Sequence, residues 1–424
     1  MREVLRNYSI NWSIAAFLLL YEFAPNAFGG FYVTLASIVL FSTGYLIFKS
    51  IKVMQFSGIL IVPNSLFFLM AMLLLSFTAT LTLNASFFTP IGLSEIAKPL
   101  FFTTFFIFGV SSNLQYSLPD IKKTLVLVSK IVLIGQFVLT VDQVLAVDAF
   151  SVIYDYGKTS STGELTSFMR STGSKFNPND FAWIVMQYAV IIYLFSKKST
   201  RYFWLFLALL LILLSGSKSM LALYPAALFV AGWLKGDRKI VNRKNASILL
   251  SVVILVYAIY KFLELNPDIF PRLNVLLVLL SGDDGGFDAR YKMWDTAYEY
   301  FLSKDGGGLT WAFGLGPIEE FKTLDNGYIY TFLRNGIVGL VLHVALIAYF
   351  LVKFIKFEDR EFGALGVQYV FMASLHEIVV EGLAGWSDPG RAFLYAGLVF
   401  SYEYRRQLGS RKDVKQIVAK QHAV

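Results

Sequence analysis

The 424 residues include no cysteine, and only 16% of them are charged. The lack of cysteine excludes disulfides, thiolate metal sites and cysteine nucleophiles, and it leaves the redox compartment open. Soluble domains carry about 25% charged residues, so this shortage of charge favours a membrane protein. The net charge of +8 then indicates Lys and Arg in cytoplasmic loops and does not indicate a nucleic-acid partner.

Apolar runs, by contrast, recur from end to end of the chain. A transmembrane helix needs about 20 mainly apolar residues, and about twelve stretches meet this criterion. The first run has no small-residue cleavage site and therefore indicates a retained span. We predict an all-α, polytopic membrane protein with a single transmembrane domain over 1–424. The predicted spans lie near 8–24, 29–48, 58–83, 91–110, 124–147, 178–196, 201–216, 218–234, 246–263, 326–354, 362–383 and 390–404.

The positive charges predict the orientation of these spans. With the N-terminus inside, every alternate loop obeys the positive-inside rule, and both termini are cytoplasmic. Two sizeable loops, 148–177 and 264–325, then lie outside, where ATP and nucleotide sugars are not available. The second loop contains an apolar stretch, Leu273–Leu280, which is too short to span and predicts a helix in the interface. We therefore expect the working surface on the outer face.

The first outer loop closes with two cations ahead of a helix. Asn177 as N-cap and Pro178 in the first turn explain the start of the sixth span. They do not explain Arg170 and Lys175, because cations before a helix N-terminus form a combination that favours an anion. From these two residues alone, an anion-binding site and a solvated pair of cations are equally good interpretations.

The second outer loop contains Arg290 and Trp294, whose spacing of four residues puts them on one face of a helix. Either the arginine simply stacks on the indole, or the aromatic ring holds a guanidinium that grips phosphate with two hydrogen bonds. Further along, Gly314-Leu-Gly316 lacks the preceding strand and the third glycine of a dinucleotide fingerprint. It predicts a tight turn.

Several charged residues lie in or next to the last spans. Asp325 and Asn326 precede the tenth span, where helix capping is the simpler interpretation. Arg334, Glu377 and Glu381 fall within spans, where an ionisable residue is costly and is a candidate site residue.

Other polar residues have simpler explanations. Lys218 lies in a very short turn and is interpreted as a lysine whose side chain extends to the membrane interface. Arg391 and Asp388 lie at a membrane boundary, and extension to the interface or a mutual salt bridge explains them. His343 and His376 lie within spans, and no pair among the three histidines has metal-ligand spacing. We predict no histidine-based metal site.

The ordered motifs resemble a superfamily of bacterial envelope proteins, the O-antigen ligases and the Wzy-type O-antigen, capsule and exopolysaccharide polymerases. The resemblance extends from about Arg170 to Phe350. Its pieces are Arg170-Ser-Thr-Gly with Asn177-Pro-Asn179, Ser215-Gly-Ser-Lys-Ser219, Arg290 with Trp294, Gly314-Leu-Gly316, and Asp325-Asn-Gly-Tyr-Ile-Tyr-Thr-Phe-Leu-Arg-Asn-Gly336-Ile-Val-Gly339. Ligases of this group usually have His-Asn in place of Asp325-Asn326, which favours a polymerase here. They usually have Arg in place of Lys218, which leaves a structural role open for that lysine.

The resemblance implies a GT-C-like fold and an inverting glycosyltransferase that uses no metal or cofactor. The donor would be a glycan on undecaprenyl diphosphate, and the acceptor a sugar of a lipid-linked repeat unit, at the outer side of the bacterial inner membrane. Membrane lipid, a chain-length regulator and a flippase of the same pathway are the other partners considered. The catalytic candidates are Arg170, Arg290 and Asp325, with Glu164 and Asp155 as alternative bases. The substrate-binding candidates are Lys175, Asn179, Lys218, Trp294, Asn326, Tyr328 and Arg334.

Two other functions stay open. An O-antigen ligase shares the donor but transfers the glycan to lipid A core. A transporter of lipid-linked oligosaccharide is less favoured, because transporters tend to bind substrate at the membrane midplane, whereas the basic residues here lie mainly in outer loops.

Overall fold

The computed structural model describes residues 10–23, 64–84, 102–110, 116–145, 147, 149–154, 172–175, 177–236, 261, 286–304, 307–316, 326–377 and 391–403. All regular secondary structure in these ranges is helical. The helices are α1 (Trp12–Phe23), α2 (Asn64–Leu83), α3 (102–110), α4 (Leu118–Val144), α5 (Pro178–Phe195), α6 (Lys198–Ser215), α7 (Lys218–Lys235), α8 (Gly286–Ser303), α9 (Gly307–Phe313), α10 (Gly327–Ile355), α11 (Arg360–His376) and α12 (391–403).

The predicted all-α fold is confirmed for these ranges. Helices α4, α6 and α10 are long and apolar enough to cross a membrane, and α1, most of α2 and most of α7 are shorter apolar helices. The predicted spans 29–48 and 246–263 (apart from Lys261) and the interfacial helix Leu273–Leu280 lie outside the described residues. Twelve spans and a GT-C-like arrangement stay predictions.

Local signals explain most helix ends. Helix α4 begins before the predicted residue 124, because Ser117 and Asp120 form a capping box around its first turn. Helix α5 begins as predicted, with Asn177 as N-cap and Pro178 in the first turn. Helix α11 ends at His376, with Glu377 as its C-cap, and the predicted continuation of this span to 383 lies outside the described residues.

Helix α5 lies at the centre of the bundle. It packs against α4, α6, α7 and α11, and its side chains from Phe181 to Ile192 are all buried. A helix that is apolar on every side is expected in such a position, because it has no face that needs water.

Two glycines permit the close crossing of α3 and α12. A Cβ atom on Gly397 would lie 2.3 Å from the carbonyl oxygen of Phe106, and one on Gly109 would lie 2.6 Å from that of Leu394. Small residues at a crossing allow backbones to approach closely, a common feature of helix packing in membranes.

Helix ends that the charge pattern assigns to the cytoplasmic side contact one another. The Lys122 ammonium at the start of α4 lies 2.8 Å from Asp359 and 2.9 Å from Glu361. Lys235 at the end of α7 lies 2.7 Å from Glu361 and donates to the carbonyl of Leu194 at the end of α5. This grouping agrees with the predicted alternation of the spans.

Candidate active site

Helix α10 is broken at Gly336, where φ is 63° and ψ is −167°. In a continuous helix, Tyr328 and His343 would be separated by about 22 Å along the axis, but their ring centroids are only 6.1 Å apart. The two halves, 327–335 (α10a) and 337–355 (α10b), therefore meet at a sharp angle. The span predicted over 326–354 is not one continuous helix.

The Gly314–Gly316 turn supplies the hydrogen bonds that the break removes. The amides of Leu315 and Gly316 donate to the carbonyls of Leu333 and Arg334, at 2.8 Å and 3.0 Å. In an unbroken helix those carbonyls would accept from residues four positions later, and irregular backbone within a membrane protein is tolerated where such groups are satisfied. Gly314 and Gly316 have φ of 74° and 73°, as expected of a turn. The motif was predicted as a tight turn only, and its role at the break was missed.

The end of α2 holds this turn from the other side. The hydroxyl of Thr80 donates to the carbonyl of Phe313 at 2.7 Å, and the side-chain amide of Asn84 donates to the carbonyl of Gly314 at 3.2 Å. Phe313 ends α9 and Gly314 begins the turn, so this junction is fixed between α2 and the broken helix.

Glu377 lies where the two halves of α10 meet α11. Its side chain is fully buried, and Nε2 of His343, on α10b, lies 3.0 Å from both carboxylate oxygens. The amide of Gly327, at the start of α10a, donates to the Glu377 carbonyl at 2.8 Å. The Tyr328 hydroxyl donates to the carbonyl of Ser374 at 3.1 Å. The sequence indicated that Glu377 needs a partner, but the histidines were considered only as metal ligands, so His343 was missed.

Asn326 and Arg334 are both buried in α10a or next to it. Asn326 is the N-cap, with its side-chain oxygen accepting from the amide of Ile329 at 3.0 Å, which confirms the capping interpretation. The Arg334 guanidinium lies 3.9 Å from the ring centroid of Tyr330, an attractive cation–π contact. Asp325, the residue before the cap, lies outside the described residues.

Helix α8 is attached to α10a by a small apolar cluster. The buried members are Ala297, Phe301, Tyr330 and Leu333. Arg290 is partly exposed one or two turns before this contact, and the Trp294 ring packs edge-on against Tyr291 at 5.3 Å. The helix that bears Arg290 and Trp294 is therefore fixed to the half-helix that begins at the Asp325-Asn326 motif.

The end of the first outer loop is buried in the bundle. The side-chain oxygen of Gln143 accepts from the amides of Thr172 and Gly173, and that of Gln136 accepts from the amide of Ser174, at 2.9 to 3.2 Å. Because Gln136 and Gln143 are two turns apart on α4, the segment 172–175 runs along that helix. Arg170, Asp155 and Glu164 lie outside the described residues.

Glu22 forms ion pairs with two basic residues, Arg391 and Lys175. Its buried carboxylate lies 2.5 Å from Nη2 of Arg391 and 3.2 Å from Nζ of Lys175, and it accepts from the Tyr188 hydroxyl at 2.9 Å. Arg391 is therefore a buried ion-pair residue, and the expectation that it extends to the interface is wrong; Asp388 lies outside the described residues. Lys175 has a protein partner, and substrate binding by it stays a prediction. Glu22 itself was not singled out by the sequence.

A row of aromatic rings connects the region of the Glu22–Arg391 pair to the region of the His343–Glu377 pair. Tyr395, one turn after Arg391, lies 5.5 Å from Tyr369, which lies 5.7 Å from Trp183. Trp183 stacks on His376 at 5.0 Å, the residue before Glu377. The two polar centres thus belong to one continuously packed region of α5, α11 and α12.

Two other candidate residues lie at helix starts. The amide of Asn179 donates to the Asn177 side-chain oxygen at 2.8 Å, so Asn179 lies in the first turn of α5. Lys218 is the first residue of α7, and its side chain is outside the described part of the chain. Substrate binding by either residue stays a prediction.

Residues 203–344 match a protein-family model described as O-Antigen ligase. No curated protein matches the chain. The matched range runs from α6 into α10b and includes the α8 helix, the Gly314–Gly316 turn and the break at Gly336. Arg170 and the buried loop end lie before it. Residues 203–344 are therefore similar to the O-antigen ligase family, in agreement with the resemblance that the motifs predicted.

Proposed function

We propose that the protein is a polysaccharide polymerase, an inverting, metal-independent glycosyltransferase of GT-C type. It transfers a glycan from undecaprenyl diphosphate to the acceptor sugar of a lipid-linked repeat unit at the outer side of the inner membrane. The observation that carries this proposal is the broken helix α10. It brings Gly327, directly after the Asp325-Asn326 motif, against the buried Glu377, and it packs against the helix that bears Arg290.

The donor side of the reaction needs positive charge. Cleavage of the sugar–phosphate bond develops negative charge on the leaving diphosphate, and without a metal this charge must be met by cations and helix N-termini. Arg170 and Arg290 are the proposed ligands of the diphosphate. Arg290 suits this role because α8 is anchored to α10a through Ala297 and Phe301, which fixes the distance from the arginine backbone to Asn326.

The acceptor side needs an oriented hydroxyl group. Asp325 directly precedes the buried N-cap Asn326 in the sequence. We assign to Asp325 the orientation of the acceptor hydroxyl. Asn179, Lys218, Trp294, Asn326, Tyr328 and Arg334 are the proposed contacts to the glycan and lipid, and Lys175 supports the loop end through Glu22.

A ligase is the second candidate, favoured by the description of the matching family model. A ligase and a polymerase share the lipid-linked donor and differ in the acceptor. Aspartate at 325, in place of the histidine usual in the ligases, favours the polymerase.

Reconstitution distinguishes these functions. Purified protein in liposomes would be supplied with undecaprenyl diphosphate-linked repeat units, isolated from a strain that lacks this gene. A ladder of lipid-linked products supports the polymerase. Single transfer to added lipid A core, or no product from either acceptor, would overturn it.

A matched pair of variants tests the arginine. Arg290→Ala is expected to lower turnover by about 10² to 10³-fold, the typical effect of removing one preorganised donor. Lys292→Ala changes an exposed residue of the same helix and should stay within about twofold of wild type, because residues two positions apart lie on different faces of a helix. Full turnover by Arg290→Ala removes that residue from the mechanism.

A further inference from the structure

We propose that His343 accepts the proton of the acceptor hydroxyl and that Glu377 positions His343 for this step. This inference rests on the proposed function and adds to it the proton acceptor and its positioning residue. His343 and Glu377 are 34 positions apart in sequence, and neither is among the residues that the motifs singled out for catalysis.

His343 pairs with the buried carboxylate of Glu377 and is itself partly exposed. Nε2 of His343 lies 3.0 Å from the carboxylate of Glu377, whose side chain is fully buried, whereas the His343 side chain is 12% exposed. A neutral imidazole that donates from Nε2 has its lone pair on Nδ1. Hydrogen bonding by a carboxylate fixes the orientation of the ring and its tautomer. The pair thus presents a proton-accepting nitrogen.

The break at Gly336 places the ring of His343 near the residues that follow the Asp325-Asn326 motif. Gly327 packs directly on Glu377, since a Cβ atom there would lie 2.2 Å from Cγ of the glutamate. The ring of Tyr328 lies 6.1 Å from that of His343. In a continuous helix, His343 would be about four turns further along the axis. The folded-back geometry therefore joins His343 to the residues that follow Asp325.

The proposed step forms one glycosidic bond and breaks the bond between the glycan and the diphosphate. The oxygen of the acceptor hydroxyl forms a bond to the anomeric carbon of the donor glycan, and its proton passes to Nδ1 of His343. The bond between the anomeric carbon and the diphosphate oxygen breaks, and undecaprenyl diphosphate leaves with the electron pair. The imidazolium formed in this step is stabilised by the Glu377 carboxylate, in the manner of a carboxylate that orients a catalytic histidine.

Glycine at 327 is consistent with this arrangement. Any larger residue would push against the glutamate side chain and so displace the carboxylate from His343. The Gly327 amide also donates to the Glu377 carbonyl, so the start of α10a and the His343–Glu377 pair are held as one unit.

The central test is rescue of a histidine variant by imidazole in the reconstituted system described above. His343→Ala is expected to lower kcat by about 10² to 10⁴-fold, the usual contribution of a positioned proton acceptor, with KM for the lipid-linked repeat unit nearly unchanged. Added imidazole should restore kcat at least tenfold, because it can occupy the space left by the side chain. His376→Gln serves as the control, because His376 stacks on Trp183; it should retain kcat per folded molecule and gain nothing from imidazole.

Glu377 requires a test that separates positioning from folding. Glu377→Gln keeps the shape and an oxygen that accepts a hydrogen bond, and it should lower kcat about tenfold or more while KM changes little. Glu377→Asp should recover part of that loss. Equal unfolding midpoints for wild type and Glu377→Gln would show that the loss of kcat does not come from unfolding.

The outcomes separate this inference from the proposed function. Wild-type kcat in His343→Ala, or a loss that imidazole does not restore in a folded protein, overturns the role of His343 and leaves the polymerase standing. Absence of product from the wild type overturns the proposed function itself.

Discussion

Glu22 and Arg391 form a buried ion pair between the first and the last described helices, with Oε1 and Nη2 2.5 Å apart and 369 positions between them in sequence. The pair connects α1 to α12, and Lys175 joins it from the first outer loop. A buried ion pair need not add net stability, but removal of one partner leaves an uncompensated charge. The contribution of the pair to stability is therefore measured by removing one partner.

Glu22→Gln is expected to lower the free energy of unfolding by about 3 to 5 kcal/mol, because it leaves Arg391 buried without its counter-charge. The double variant Glu22→Gln, Arg391→Met should be less destabilised than the two single changes together, since contacting residues are coupled. Thermal unfolding of the detergent-solubilised protein measures both. Glu403→Gln is the control, because the Lys353–Glu403 pair is wide, at 3.7 Å, and a third exposed; pairs of that kind contribute about 0 to 1 kcal/mol. Equal losses in Glu22→Gln and Glu403→Gln would contradict the prediction.

Gly336→Ala is expected to disrupt the break in α10. The φ of 63° with ψ of −167° is a region that only glycine adopts readily, at a cost of about 1 to 3 kcal/mol for other residues. A Cβ atom would also lie 2.3 Å from the carbonyl oxygen of Ala312. The variant should therefore unfold at lower temperature and lose polymer formation.

Gly308→Ala is the matched control for this prediction, because a Cβ at Gly308 in α9 would meet nothing within 4 Å. Alanine is favoured over glycine in a helix by about 1 kcal/mol, so this change should be neutral or slightly stabilising. A wild-type melting temperature and wild-type product in Gly336→Ala would show that the two halves of α10 do not need the glycine conformation.

The sequence predicted the helices well because long apolar runs and local caps determine them. Asn177 and Asn326 were interpreted correctly as possible caps, since capping depends on the next three residues alone. The break at Gly336 was not predicted, because apolar residues continue on both sides of it and the span pattern does not change. The partners of Glu22 and Glu377 were not predicted either. Which charged residues meet depends on how distant helices pack, and hydropathy contains no information on that pairing.

The charge cluster of Lys122, Lys235, Asp359 and Glu361 predicts a loss of stability in acid. Burial alone would raise the pKa of Glu361, but hydrogen bonds from Lys235 and Lys122 and their positive charge outweigh it and hold the pKa below the usual value of 4.5. A carboxyl group with a lowered pKa in the folded state stabilises the fold above its unfolded pKa and loses this effect as pH falls through its folded pKa. Stability should therefore decline below about pH 4.5.

Glu361→Gln removes this contribution at all pH values. The variant should be less stable than wild type at pH 7, and its melting temperature should fall less steeply below pH 4.5. Glu299→Gln, on the exposed surface of α8 and outside the cluster, is the control and should follow the wild-type curve. Parallel curves for wild type and Glu361→Gln would show that Glu361 does not contribute to the acid sensitivity.

Gln143→Ala is expected to release the end of the first outer loop. The Gln143 side chain satisfies the buried amides of Thr172 and Gly173, and an unsatisfied buried donor costs about 1 to 3 kcal/mol. Because Arg170 precedes this segment by two residues, its release should raise KM for the lipid-linked donor and open the loop to trypsin added outside the proteoliposomes.

The control for this last prediction is another buried glutamine. Neither polar atom of the Gln187 side chain has a hydrogen-bond partner among the described residues, so Gln187→Leu should leave stability unchanged or raise it, because replacing an unsatisfied polar group relieves its desolvation penalty. Trypsin cleavage near Lys175 in Gln143→Ala but not in Gln187→Leu would show that α4 holds the loop. If Gln143→Ala stays resistant and keeps the wild-type KM, the other contacts of the loop end, among them those of Gln136 and Glu22, hold it, and α4 does not position Arg170 through Gln143.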